Sequence, residues 1–259
     1  MKQFWGRALR PSYMGIVYFF FYFPILVLVA YSFNNATYSM LWHGFTWSWY
    51  QLLFQDSDLW TAALHSLILG VTAATIATLL GMLAAISLYR YRFRGQNLLH
   101  GLVFILIITP DIVLGISLLI LFNTLDIPLG FISLLIAHIT FCIPFVVVIV
   151  YSRITGLDKN IFEAAYDLGA NEWVSLTKIT IPLLKPALIA GALLSFALSF
   201  DDVLISYFVS GPGFEILPLQ IYSMARFGIK PELNALCTVL FSVTIVLVLL
   251  SQWLTRKKS

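Results

Sequence analysis

Charge is scarce in this chain: 10% of its 259 residues are Asp, Glu, Lys or Arg, against about 25% in a soluble globular domain. That scarcity, beside 60% hydrophobic residues, excludes an ordinary water-soluble fold and leaves a membrane protein. Cysteine is nearly absent too. Cys142 and Cys237 each stand inside an apolar stretch, with no CxxC pair and no Cys/His ligand spacing, so neither a disulfide nor a metal site is expected. No G-x-x-x-x-G-K-S/T segment occurs, so nothing here can cradle nucleotide phosphates. Internal repeats with a period of about 20 to 50 residues are missing, as are low-complexity segments and Pro/Gly-rich linkers, which points to one membrane domain. The formal net charge of +3 gives no reason to invoke nucleic acid, because the placement of the basic residues has a different meaning in a membrane chain.

A membrane-spanning helix takes about 20 apolar residues. Apolar runs at roughly 13–33, 62–88, 98–122, 132–152, 187–210 and 236–254 predict six transmembrane helices. The first follows an arm bearing Lys2, Arg7 and Arg10, which imitates a signal peptide. Its run is longer than the roughly 7 to 15 residues of a signal h-region and no A-x-A site follows, so an uncleaved span is expected. Of the 15 Lys and Arg residues, thirteen fall in four segments. These are the N-terminal arm, the loop with Arg90, Arg92 and Arg94, the stretch from Arg153 to Lys185, and the tail Arg256-Lys257-Lys258. Lys and Arg are retained on the cytoplasmic side, so both termini are predicted to be cytoplasmic, as an even number of spans also requires. Arg226 and Lys230 are left for the outer side. Two connections exceed simple turns, the outer loop 34–61 and the cytoplasmic loop 153–186, and loops of that length usually carry a function.

In the cytoplasmic loop, Asp158 is placed to cap a helix over 159–168, Gly169 supplies a left-handed stop, and Asn171 is placed to cap a second helix ending before Pro182. Within it stand Glu163-Ala164-Ala165, then Gly169 six positions after the Glu, then Ile179 and Ile181-Pro182. This pattern resembles the EAA motif of ABC-importer permeases, departing from it only at Ile181, where the family has Leu. Small alanines permit close approach to another protein's groove, and a turn glycine fixes the register of two short helices. The resemblance implies a coupling loop seated in a cleft of a separate ATPase subunit. Glu163, Ala164, Ala165 and Gly169 carry that role, with Glu172 beside them. A plain amphipathic helix pair is the alternative.

Acidic residues inside the apolar runs need a reason, since each costs about 2.5 to 3.5 kcal/mol at a helix centre. Asp111 follows Pro110 in the third run, and Asp201-Asp202 stand in the fifth. Counted from the cytoplasmic ends at Leu98 and Ala187, both lie roughly 20 Å along their helices. Carboxylates at one depth, beside a proline able to break its helix, read as the lining of a cation pathway. The competing reading is that each caps a broken helix or bonds to Thr109 or Ser199. Eight of the twelve acids, Asp56, Asp58, Asp111, Asp126, Asp201, Asp202, Glu215 and Glu232, lie in outer or mid-membrane regions. That favours a polycation over an oxyanion, which needs Arg, Lys or helix N-termini. In the outer loop, Trp42, Trp47, Trp49 and Tyr50 offer faces for cation–π contact at about 0.5 to 2 kcal/mol each, or form an interfacial aromatic belt.

A closer resemblance lies in Tyr89-Arg90-Tyr91-Arg92-Phe93-Arg94-Gly95, Ser199-Phe200-Asp201-Asp202-Val203, Glu215-Ile216-Leu217-Pro218-Leu219 and Ile221-Tyr222-Ser223-Met224. These stretches look like the shorter, second permease of the spermidine/putrescine ABC importers, nearly end to end, and the Glu215 run looks like its spermidine-preferring branch. The resemblance implies an all-α type I ABC importer permease of six transmembrane helices in the bacterial inner membrane. It implies a homologous second permease, two copies of an ABC ATPase that binds ATP and Mg, and a periplasmic polyamine-binding protein as partners. The chain itself would hold no cofactor and no metal, and would be a transport subunit without catalytic residues. Its organisation would be an arm, first helix and periplasmic loop over 1–61, a core over 62–254 with the coupling loop at about 157–182, and a tail over 255–259. Substrate-pathway residues carried over are Trp49, Asp111, Ser199, Asp201 and Asp202.

Rival readings are an ABC permease for another cationic or small solute, a proton-coupled secondary carrier, and an intramembrane protease. Carriers use buried carboxylates as proton relays but have no ATPase for an EAA loop to grip. A rhomboid-like dyad would draw on Gly115-Ile116-Ser117 and His138, yet Leu118 stands where that motif needs glycine. No polar residue is placed to steer His138 as a base, so an interhelical hydrogen bond is the expectation there.

Overall fold

The computed structural model describes residues 2–36, 41–158, 160–226 and 231–256. Lys159 and Lys230, and Lys257 and Lys258 of the tail, lie outside the described residues. The chain divides into two compact units, one made of 1–60 with 221–259 and the other of 61–220.

In the first unit, α1 (Lys2–Tyr31) is followed by a short, tightly bonded loop, α2 (Ser48–Gln55) and, from the far end of the sequence, α12 (Pro231–Arg256). The loop turns on Asn34, which is 1% exposed. Its side-chain amide donates to the Leu41 carbonyl at 2.9 Å and its side-chain oxygen accepts from His43 N–H at 2.7 Å. An isolated antiparallel bridge joins Asn34 to Phe45. Phe33, Phe45, Trp47 and Tyr50 close over this hairpin with ring centroids 5.0 to 5.6 Å apart.

The second unit contains α3 (Ser57–Arg90), α4 (Gln96–Ile108), α5 (Asp111–Thr124), α6 (Phe131–Thr155), α7 (Asn160–Asp167), α8 (Glu172–Val174), α9 (Ile181–Asp201), α10 (Leu204–Val209) and the start of α11 (Leu217–Arg226). Helix α6 is its centre. Val146, Val150 and Ile154 pack with Ile86 and Leu184 in one buried cluster, while Leu134 and Ala137 pack with Leu69, Phe122 and Ile205 in a second. In a bilayer lipid tails are as apolar as leucine, so helices associate through close van der Waals fit at small residues. Gly81 shows this: a Cβ placed there would come within 2.7 Å of Val146.

Among the described residues four helices are long and apolar enough to cross a membrane: Tyr13–Tyr31, Ser57–Arg90, Phe131–Thr155 and Glu172–Asp201. The third and the sixth of the six predicted spans are not among them, the sixth being present there as the shorter apolar helix Pro231–Val246. The third run is split into α4 and α5, which meet at 115°. Thr109 is extended, with φ −65° and ψ 128°, because a proline at the next position crowds its predecessor out of the helical region. The fifth run also ends early, at Asp201, and resumes as the six-residue α10.

The loop helices correct a second expectation. Asp158 accepts from Asn160 N–H at 3.0 Å, Gly169 adopts φ +81°, and Asn171 accepts from Val174 N–H at 2.8 Å, as the capping pattern predicts. The second loop helix does not end before Pro182. It passes through a π-helical stretch, Ser175–Thr180, directly into α9, whose first turn contains Pro182. Within such a continuous helix Pro182 has no N–H to give to the preceding turn, and the π-helical stretch lies directly before it. The result is one run from Glu172 to Asp201.

Candidate functional site: an acidic cavity at two helix breaks

Asp111, Phe141, Leu198, Asp201, Asp202, Val203 and Leu204 line one cavity of about 230 Å³. The two breaks in the spans meet there. A broken helix leaves up to four carbonyls at one end and four N–H groups at the other without intrahelical partners, so such breaks occur at membrane depth only where protein or a cavity surrounds them.

The three carboxylates do different things. Asp111 is the first residue of α5, where the positive end of the helix dipole favours its charge. Asp202 is buried and caps α10: Oδ1 accepts from Ile205 N–H at 3.2 Å, and Oδ2 accepts from Ser206 N–H at 2.8 Å and from Ser206 Oγ at 2.7 Å. Asp201 is exposed and ends α9, where the dipole is negative and opposes a carboxylate. A cation beside Asp201 relieves both the carboxylate and the unpaired carbonyls of that last turn. Among the described residues no Lys, Arg or His lines the cavity, and the ring of Phe141 supplies one aromatic wall.

Ser199 is buried and turns away from solvent to His138, with its Oγ 2.7 Å from Nδ1. Thr109 bonds within its own helix, to the Ile105 carbonyl at 2.7 Å, so neither residue is the partner of Asp111. Trp49 belongs to the other unit. It is 9% exposed and its indole N–H donates to the Asn34 carbonyl at 2.8 Å, so its ring presents little open face, unlike Trp42 at 54% exposure.

At the loop, Ala165 is buried while Glu163, Ala164 and Gly169 are exposed. The chain reverses through Gly169 N–H to the Tyr166 carbonyl at 2.9 Å and Ala170 N–H to the Ala165 carbonyl at 3.0 Å. Glu172 lies 3.8 Å from the Arg90 guanidinium and accepts from Tyr91 Oη at 3.3 Å. Arg90 also stands 5.7 Å from the centre of the Tyr166 ring. Arg90, Glu163 and Tyr166, with Tyr89, Phe162 and Thr180 among others, enclose a cavity of about 330 Å³.

The sequence pattern of the family described as "Binding-protein-dependent transport system inner membrane component" matches residues 77–257. This chain belongs to that family. It is therefore a membrane component of a transport system and not an enzyme. It is 52% identical over 254 residues to the spermidine/putrescine transport system permease protein PotC of Escherichia coli, covering 98% of this chain and 96% of that one. It is 42% identical over 228 residues to the putrescine transport system permease protein PotI of the same organism, covering 85% and 81%. A solved bacterial alginate ABC transporter, in complex with an alginate pentasaccharide-bound periplasmic protein, shares its fold. The TM-score is 0.76 at 15% identity, over 99% of this chain and 97% of that one. The fold is that of a type I ABC-importer permease.

Several site residues were not singled out from the sequence. Phe141 and Leu198 reach the cavity from within α6 and α9, and Val203 and Leu204 through the break after Asp201. Ser206 and Asn34 were also missed; a short polar residue four positions after Asp202 was the available signal for Ser206. The expectation that nothing polar steers His138 is overturned. Ser199 and Ser206 flank both ring nitrogens, and Asp202 Oδ2 lies 3.6 Å from Nε2. They are 61 and more residues away in the chain, beyond the reach of a local reading. Both nitrogens being engaged, Ser117 is not the partner of His138.

Proposed function

We propose that this chain is one of two homologous permease subunits of an ATP-driven importer that carries polyamines, spermidine foremost and putrescine with it, across the bacterial inner membrane into the cytoplasm. The observation that carries this reading is the cavity in which Asp111 and Asp201 face one space beside Phe141 with no basic side chain. Carboxylates hold ammonium groups, the ring and Leu204 meet methylenes, and exposed carbonyls add acceptors. The likeness to polyamine permeases supports it.

In this reading the chain crosses the membrane six times, α4 with α5 forming one bent passage and α12 the last, with both termini cytoplasmic. A periplasmic binding protein delivers the cargo. Two ATPase copies bind ATP and Mg and grip the coupling loops through Glu163, Ala164, Ala165 and Gly169, with Glu172 bracing the loop against Arg90. Closing of the ATPases swings the permeases outward-facing, cargo descends past Asp111 and Asp201, and hydrolysis restores the inward state. Ser199 and Asp202 serve the pathway from behind, and Trp49 serves it by holding the outer loop. Conduction needs sites that attract without trapping, which suits carboxylates in a partly open cavity.

The test is uptake of labelled spermidine, putrescine and a neutral control by cells lacking this chain, restored with wild type or Glu163→Arg. Polyamine uptake regained with wild type and not with Glu163→Arg is expected. Polyamine uptake unchanged by deletion, in cells without another polyamine importer, overturns the cargo; full rescue by Glu163→Arg overturns the coupling role.

A further inference from the structure

The break in the fifth span is bridged by one side chain. His138, in α6, is 0% exposed. Its Nδ1 lies 2.7 Å from Ser199 Oγ, in the last turn of α9, and its Nε2 lies 2.9 Å from Ser206 Oγ, in the first turn of α10. The proton positions follow from the donors. Ser206 gives its single hydroxyl proton to Asp202 Oδ2, so Nε2–H must donate to Ser206 Oγ. With a neutral ring, Nδ1 is then the acceptor and the Ser199 hydroxyl donates to it. Ring, serines and carboxylate are all satisfied, which is the condition for a buried polar network to hold.

Why such a network stands here follows from the break. Only Asp202 and Val203 join α9 to α10, and a six-residue helix has too few internal bonds to keep its own direction. The imidazole ties the segment before the break and the segment after it to one point on α6. The same tie holds Asp202 inward, which leaves the adjacent Asp201 facing the cavity. A core that needed only filling would do better with apolar side chains, since each buried polar group is costly unless bonded.

We propose that His138 is a positioning residue for transport, clamping both sides of the break so that α9, α10 and α6 move together and Asp201 keeps its place in the pathway. This rests on the reading of the cavity as the cargo path, and the test separates the two. The intact complex, with partner permease and ATPase, is reconstituted in lipid as wild type, His138→Leu and His138→Gln. Two quantities are measured: deuterium exchange of the amides at 202–206, and ATP hydrolysed per polyamine taken up. Leucine fills the space without bonding, and its neighbouring serines can bond to their own helices, so the complex is expected to assemble.

In His138→Leu, exchange at 202–206 should rise about tenfold, the shift that losing one buried hydrogen bond brings, while exchange in α3 stays as in wild type. ATP consumed per cargo should rise several-fold, with the KM for loaded binding protein unchanged. Glutamine, which keeps a donor at the position of Nε2, should recover part of both effects. An assembled His138→Leu complex with wild-type exchange at 202–206 overturns the proposal, whatever its transport. So does raised exchange with unaltered coupling. Should His138→Leu fail to assemble, Ser199→Ala removes only one tie and should raise exchange to a smaller degree; no rise overturns the clamp. If wild type carries no polyamine, the cargo reading fails while the exchange result still decides the clamp.

Discussion

Adjacent carboxylates of identical chemistry should respond in opposite ways to the same substitution. Asp202 is 8% exposed and accepts from two backbone N–H groups and a hydroxyl. Its replacement by Ala removes the cap and leaves the Ile205 and Ser206 N–H groups without that acceptor, at about 1 to 3 kcal/mol apiece. Even if the Ser206 hydroxyl turns to another acceptor, the total is on the order of 3 kcal/mol. Asp201 is exposed and carries no such network, so Asp201→Ala should change stability by no more than about 0.5 kcal/mol. The dipole at the end of α9 even favours losing that charge. The assay is thermal unfolding of the detergent-solubilised complex, followed by polyamine uptake after the same preparations are reconstituted into sealed vesicles. Asp202→Ala is expected to lower the midpoint and the yield of assembled complex. Asp201→Ala is expected to assemble as wild type and to lose uptake. The reverse order, Asp201→Ala unstable and Asp202→Ala neutral, would refute the division of labour between them.

Phe141→Leu removes the aromatic wall of the cavity and, in the proposed cargo path, a cation–π contact worth about 0.5 to 2 kcal/mol; uptake efficiency should fall, and Phe141→Tyr should retain it, as initial-rate uptake would read. At Gly169, with φ +81°, valine costs about 1 to 2 kcal/mol of left-handed strain and tilts α7 against α8. ATP hydrolysis by the complex should then continue with little uptake, and equal loss of both activities would count against a coupling role. Arg90→Gln removes a pair whose Glu172 side is 70% exposed, and exposed pairs contribute roughly 0 to 1 kcal/mol. Its thermal midpoint should stay close to wild type while its coupling ratio shifts.

How much of this was legible in the sequence depended on range. Local chemistry came through: the caps at Asp158 and Asn171, the left-handed Gly169 and the proline break before Asp111 are written in adjacent residues. Helix rise alone put Asp111 and Asp201 at similar distances along their runs, and the two line the same cavity. Composition and run length misjudged where helices stop, because hydropathy cannot register a break between two apolar segments. The break after Asp201 has no proline to announce it. The partners of His138 were invisible for a different reason, being contributed by α9 and α10 across 61 and 68 residues.

The uninterrupted run from Glu172 to Asp201 changes what the coupling loop can transmit. Had a helix ended before Pro182, a push on Glu163 would have reached the membrane through a flexible joint. Instead the loop's second helix and the cavity carboxylate are the two ends of one rod, roughly 45 Å long at the rise of an α-helix. The π-helical stretch at Ser175–Thr180 lies within it, and such insertions are frequent at functional sites. In the proposed mechanism, motion of the loop arrives at Asp201 as movement of a helix end and alters its distance from Asp111 on α5. A fixed acidic site would bind a polycation and keep it. A site whose two carboxylates ride on different helices can bind while they are close and release when they part, which is the requirement that an importer places on its own affinity.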